Sequence, residues 1–136
     1  MIIYNSPYIE LFFFEEDSCL EWIWTPKSED LTEVSFKQEF MNCLALIKTH
    51  KPQKMLADSS NQYFTVAPDL QEWVSQHVFL PSFKVGLTYI AIVLSKDVFA
   101  QLSIEQAMTE EGSEHFHIRY FDNRNEAKAW LNSQFK

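Results

Sequence analysis

The spacing of apolar side chains along the 136-residue chain alternates between two periods, and each change of period marks an element. Ile2 to Tyr4 forms a short strand, closed by the turn signal Asn5-Ser6-Pro7. Tyr8 to Glu15 and Cys19 to Trp24 are rich in β-formers and are separated by Glu16-Asp17-Ser18, the pattern of an antiparallel hairpin. In the second hairpin strand Leu20, Trp22 and Trp24 share one face, which should meet helices, while Cys19, Glu21 and Ile23 share the other. Leu11 to Phe14 does not alternate, so both faces of the first hairpin strand are expected to be at least partly covered.

Helical spacing begins after Pro26. Asp30-x-x-Glu33 has the form of a capping box, and Val34, Phe36, Phe40, Cys43, Leu44 and Ile47 follow as an apolar stripe up to His50-Lys51-Pro52. Lys54 to Asp58 is too short and apolar for a helix and is expected to be a buried strand. Pro68 suits the first position of the next helix, with Asp69 and Glu72 in its first turn and Leu70, Trp73, Val74 and His77 inward. Phe79 to Gly86, with Pro81 inside it, reads as a loop that covers a pocket or an interface.

Leu87 to Leu94, containing YIAIVL, is the expected central strand, buried on both faces. Ser95 and Asp97 can cap a helix carrying Val98, Phe99 and Leu102, and Ser103-x-x-Gln106 offers a second box and a break. Gly112 closes that segment. His115 to Phe121 is a strand with one wetter face, and Asn123-x-x-Glu126 caps a last helix that turns Ala127, Trp130 and Leu131 inward. The order is β-β-β-α-β-α-β-α-β-α in one domain spanning residues 1–136: an α/β fold with an N-terminal antiparallel hairpin, later parallel strands joined by right-handed crossovers, and helices over at least one face.

Composition narrows the function classes. Eleven basic against 19 acidic residues, a formal charge of −8, would repel phosphate backbones, so nucleic acid is not an expected partner. Two glycines are too few for phosphate-cradling loops, and no cofactor is expected. The N-terminus lacks the form of a secretory signal and no stretch approaches a bilayer span, which points to a cytoplasmic protein without stable membrane insertion. Cys19 and Cys43 lack CxxC spacing and read as two reduced, packed thiols.

Together the strand order, Met55-Leu56-Ala57-Asp58, the helix start Ala67 to Trp73, YIAIVL, and the terminal Phe121-Asp122-Asn123 with Glu126-Ala127 and Trp130-Leu131 resemble the small bacterial STAS-like proteins. That fold is shared by anti-sigma-factor antagonists and by the lipid-binding domains of CRAL-TRIO proteins. Antagonists carry an Asp-Ser-Ser-Gly-like turn whose second hydroxyl is phosphorylated by a partner kinase. The resemblance maps that turn onto Asp58-Ser59-Ser60, with Asn61 in place of glycine and Ser60 as acceptor; a second register puts Thr65 nearest the helix start. Phosphate there would add roughly two negative charges beside a docking surface. The simpler alternative is that Asp58, Ser59 and Thr65 satisfy turn and cap hydrogen bonds.

Other chemistry is sparse. His115 and His117, two apart on a strand, could ligate a metal from one face, but a third ligand is not evident and rim histidines are the simpler reading. His77 with Asp58 is conceivable as an acid–base pair, without an identifiable nucleophile. No catalytic residue is assigned and no enzyme is expected. Trp22, Trp24, Tyr63, Phe64, Trp73, Phe79 and Phe83 are expected to line a pocket or an interface. These readings converge on a non-catalytic regulatory or scaffolding module that binds protein, as a homodimer through its aromatic strands and the 79–83 segment. A carrier of a small apolar molecule or lipid is the alternative.

Overall fold

A computed structural model describes residues 1–109 and 115–134. Six strands form one sheet in the sequential order β1-β2-β3-β4-β5-β6: Ile2–Asn5, Ile9–Phe14, Cys19–Trp24, Lys54–Asp58, Tyr89–Val93 and His117–Phe121. The first three are antiparallel and the rest run parallel to β3. Sequential parallel neighbours joined by right-handed crossovers place every crossover helix on the same face. These are α1 (Glu33–His50), α2 (Pro68–Val74), α3 (Leu80–Lys84) and α4 (Val98–Ala107); the last helix, α5 (Arg124–Asn132), packs on the opposite face against β4, β5 and β6.

The period-2 alternation sorts the two cores. Leu20, Trp22 and Trp24 of β3 join Met55, Ile90 and Ile92 beneath the crossover helices, and Cys19, Leu56, Ala91 and Val93 pack under Ala127 and Leu131 of α5. Phe12 to Phe14 are half-buried, consistent with a strand covered on both sides. The expected hairpin, the returning strand at 54–58, the buried β5 and Pro68 at the first turn of α2 are all present.

Four local expectations are corrected. The N-cap of α1 is Thr32, whose Oγ1 accepts from Ser35 N at 3.1 Å while Ser35 Oγ accepts from Thr32 N at 2.8 Å; Asp30 ends a separate 3-10 turn, Pro26–Asp30. Leu31, buried between them, sets that register by anchoring the chain to the core two residues before the helix starts. Val34, expected inside, is 79% exposed. Thr32→Ala should therefore lower stability by about 1 kcal/mol and Asp30→Ala by less than about 0.5 kcal/mol, read from urea melts.

Phe79 to Gly86 is helix rather than loop up to Lys84. A widened turn over Ser75–Phe79, in which Leu80 N–H reaches back to Ser75 O, absorbs the missing donor of Pro81, so the chain continues into α3. Gly86, at φ +113, ends this rod in a conformation that glycine alone adopts easily. Ser103 starts no second box: α4 runs unbroken, with the Ser103 hydroxyl turned inward. Val98, Phe99 and Leu102 of this helix face outward. The small residues Ala100, Ser103 and Ala107, with Ile104, form the buried face and let α4 approach α2 closely. Gly112 lies outside the described residues.

Candidate functional site

The carboxyl ends of parallel strands are where an open α/β sheet offers its clefts, and here they bring together the loops after β3, β4, β5 and β6. The nine-residue coil from Ser59 to Ala67 is the longest of these. Its backbone groups are met largely by side chains. Ser28 Oγ donates to Asn61 O and accepts from Tyr63 N, both at 2.9 Å, and Ser95 Oγ donates to Gln62 O at 2.7 Å. Ser103 Oγ accepts from Val66 N at 3.0 Å, and Gln71 Nε2 bridges Val66 O and Gln106 Oε1. A coil held at so many points is a fixed surface rather than a floppy one.

Asp58 faces the α5 side. Its Oδ1 accepts from Ser60 Oγ at 2.7 Å and Ser60 N at 3.2 Å, and its Oδ2 pairs with Arg124 Nη1 at 3.2 Å. Arg124 also clasps Glu21 of β3, a carboxylate buried to 3% exposure. The second Glu21 oxygen faces Lys128 Nζ at 3.0 Å as an ion pair. Burial works against the Arg124 charge, but the hydrogen bonds and charges of Glu21 and Asp58 more than offset it, so its pKa stands above the usual value. This network escaped the sequence reading, although a glutamate inside CLEWIW was a signal: a carboxylate in a buried strand needs a cation.

The three candidate hydroxyls therefore differ. Ser59 is buried at 3% exposure, Ser60 is half-buried and tied to Asp58, and Thr65 is exposed. Asp58 and His77 do not meet as an acid–base pair: His77 Nδ1 lies 3.1 Å from Trp73 O, its ring is stacked on Trp73, and Asp58 is engaged by Arg124. His115 and His117 separate to different neighbours. His115 stacks on Phe83 over the larger core, and His117 on Tyr89, which packs with the α5 core. Among the described residues no group of three His, Cys, Asp or Glu could hold a metal, and no helix is long and apolar enough to cross a membrane. Both cysteines are buried; desolvation pushes the Cys19 thiol up to about 11 and Cys43 well above its usual value, which keeps both protonated and unreactive.

The aromatic candidates divide as well. Trp22, Trp24 and Phe79 line a cavity of about 80 Å³ between the sheet and the crossover helices. Phe64, Trp73 and Phe83 are half-buried against the same core, and Tyr63 is half-buried on the coil; all four lie outside the cavity wall. In the segment at 79–83, expected to cover a pocket or an interface, Phe79 and Phe83 stand edge-on to Phe116. Trp22 is 3% exposed, and among the described residues its indole N–H has no hydrogen-bond partner. An orphaned buried donor costs about 1–3 kcal/mol, large against ordinary net stability.

Helix α4 carries an exposed apolar cluster. Val98, Phe99 and Leu102 are 76%, 73% and 53% exposed and fall within a single turn's arc on the outer side of α4. Tyr120 of β6, 37% exposed, lies near Glu105 of the same helix; desolvation, then the Glu105 charge, pushes its hydroxyl up to about 12. Compared with protein-family models, curated proteins and solved structures, the chain matches none.

Proposed function

We propose that this chain is a non-catalytic binding module, regulatory or scaffolding in role, that docks a protein partner through the outer face of α4 beside the buttressed Ser59–Ala67 coil. The observation that carries this reading is the cluster of Val98, Phe99 and Leu102, large side chains left exposed on a helix whose other side is well packed. With a chain charge of −8, a neutral or basic partner fits best. Exposed Thr65 directly precedes Val66, which is bonded to α4 through Ser103, so phosphate on Thr65 would act beside this surface, in line with the STAS-like resemblance. The cavity has room for far fewer atoms than a lipid chain, which weighs against the lipid form of the carrier alternative.

Phe99→Asp should leave folding stability within about 0.5 kcal/mol, because the ring is already in water, while abolishing partner capture. A photo-crosslinker at Leu102 is the direct test, with one at Val34, a still more exposed apolar position on α1, as control. A discrete protein crosslinked from 102 and lost with Phe99→Asp supports the reading. Identical products from both positions overturn it, and a crosslink only to a second copy of the chain would replace it with homodimerisation.

A further inference from the structure

We infer that the outer edge of β6 receives an extended segment of the protein partner as an added strand, with its apolar residues laid against the exposed side of α4. The inference rests on the docking reading above and adds the conformation and side-chain pattern that the partner must bring. Strand β6 closes the sheet order, so its far side meets no other strand among the described residues. His117 N–H reaches Thr88 O, and Phe121 O accepts from Leu94 N, so the backbone groups of these two residues face the β5 side. Such groups alternate sides along a strand, which turns those of Ile118 and Tyr120 outward. The two sheet edges differ. β1 is four residues long and its ladder with β2 shifts register between Ile2 and Tyr4, an irregularity that blunts an edge. β6 pairs in unbroken register from His117 to Phe121 and holds no proline or lysine. A row of donors and acceptors of this kind is matched by the backbone of another strand, not by a helix, whose own groups are already paired.

Side chains set the pattern. Tyr120 lies near Glu105 of α4, and Val98 and Leu102 share that side of the helix, since the three follow one another at spacings of four and three. A strand added to β6 turns every second residue toward this apolar row. The intervening residues face Arg119, which lies on the α5 side over the rings of Phe121 and Trp130. Apolar residues alternating with an acidic one therefore fit best; the acid is a local match within a partner that is neutral or basic as a whole. A second copy fits less well. Two chains of charge −8 repel, and pairing symmetric about Arg119, the middle residue of the strand, sets two guanidiniums opposite each other.

Nuclear magnetic resonance of the full chain with the peptide acetyl-Thr-Val-Glu-Val-Thr-amide tests this. The amide protons of Ile118 and Tyr120 should move downfield on titration and exchange more slowly with solvent, while that of Arg119, turned toward β5, should change little. Two further peptides locate the pairing, one N-methylated on both valines and the other on the glutamate and the second threonine. These amides point to opposite sides of an extended chain, so one peptide should bind about tenfold more weakly than the parent and the other about as well. Arg119→Glu, at an exposed position, should reverse the preference for the parent peptide over its counterpart with lysine in place of glutamate. Unmoved Ile118 and Tyr120 amides, or equal affinities of the two methylated peptides, would overturn the strand pairing even where a partner is captured from Leu102. Protection of both amides in a dimer without peptide would overturn it in favour of a second copy. No capture from Leu102, with the peptide still ordering these amides, would support the edge pairing and fault the α4 docking reading alone.

Discussion

Arg124→Met should lower the folding free energy by about 2–4 kcal/mol, a shift of urea midpoint large enough to read without ambiguity. The expectation rests on Glu21 rather than on the arginine itself. Arg124 is more than a third exposed, and its own pairings would be worth little at a surface. Glu21, however, sits in the middle of β3 at 3% exposure, between Leu20 and Trp22, where Arg124 and Lys128 of α5 balance it. Removing the guanidinium takes away one of these two cations and releases Asp58, whose other oxygen organises the Ser60 turn. Arg124→Lys should recover only part of the loss, since an ammonium cannot reach both carboxylates with the spread arms of a guanidinium. The double variant Glu21→Leu with Arg124→Met should recover most of it, because replacing a buried pair by apolar groups is far milder than breaking it. An Arg124→Met protein within about 0.5 kcal/mol of the parent would show that Glu21 is solvated in some other way.

The same network separates what the chain announces from what it conceals. Strand alternation in β3, the Pro68 helix start and the Asn123 cap were legible because each depends on residues adjacent in sequence. The α/β class followed from their order. Arg124 and Glu21 lie 103 positions apart, and only the parallel pairing of β3 with β4 and the placement of α5 on the far face bring them together. Which face of α4 is buried was not legible for a related reason: hydropathy marks Phe99 and Leu102 as apolar, whereas burial goes to the face whose small side chains allow close packing. Helix length at 75–84 was misjudged because Pro81 signals a break unless a widened turn precedes it, and local sequence does not disclose that turn.

Phe36→Ala should be the most damaging single core truncation, costing about 3–5 kcal/mol. Phe36 is 1% exposed, stacks on Phe40 at 4.2 Å and on Phe64 at 5.1 Å, and forms part of the cavity wall. Truncation elsewhere in the core would make a new void that neighbours can partly close. Here the lost ring would merge with space that already exists, and the indoles of Trp22 and Trp24, ringed around Phe40, cannot turn inward to fill it without breaking their own contacts. The cost should therefore lie toward the upper end of the range, since it rises with the volume left empty. A second consequence is spatial. Phe64 belongs to the Ser59–Ala67 coil, and its stacking on Phe36 is an apolar tether of that coil to α1. Amide exchange of Tyr63 and Val66, whose donors are bound to Ser28 and Ser103, should accelerate in the variant by more than the global loss of stability explains. Exchange that rises only in step with global unfolding would mean that the side-chain hydrogen bonds hold the coil without help from the aromatic stack.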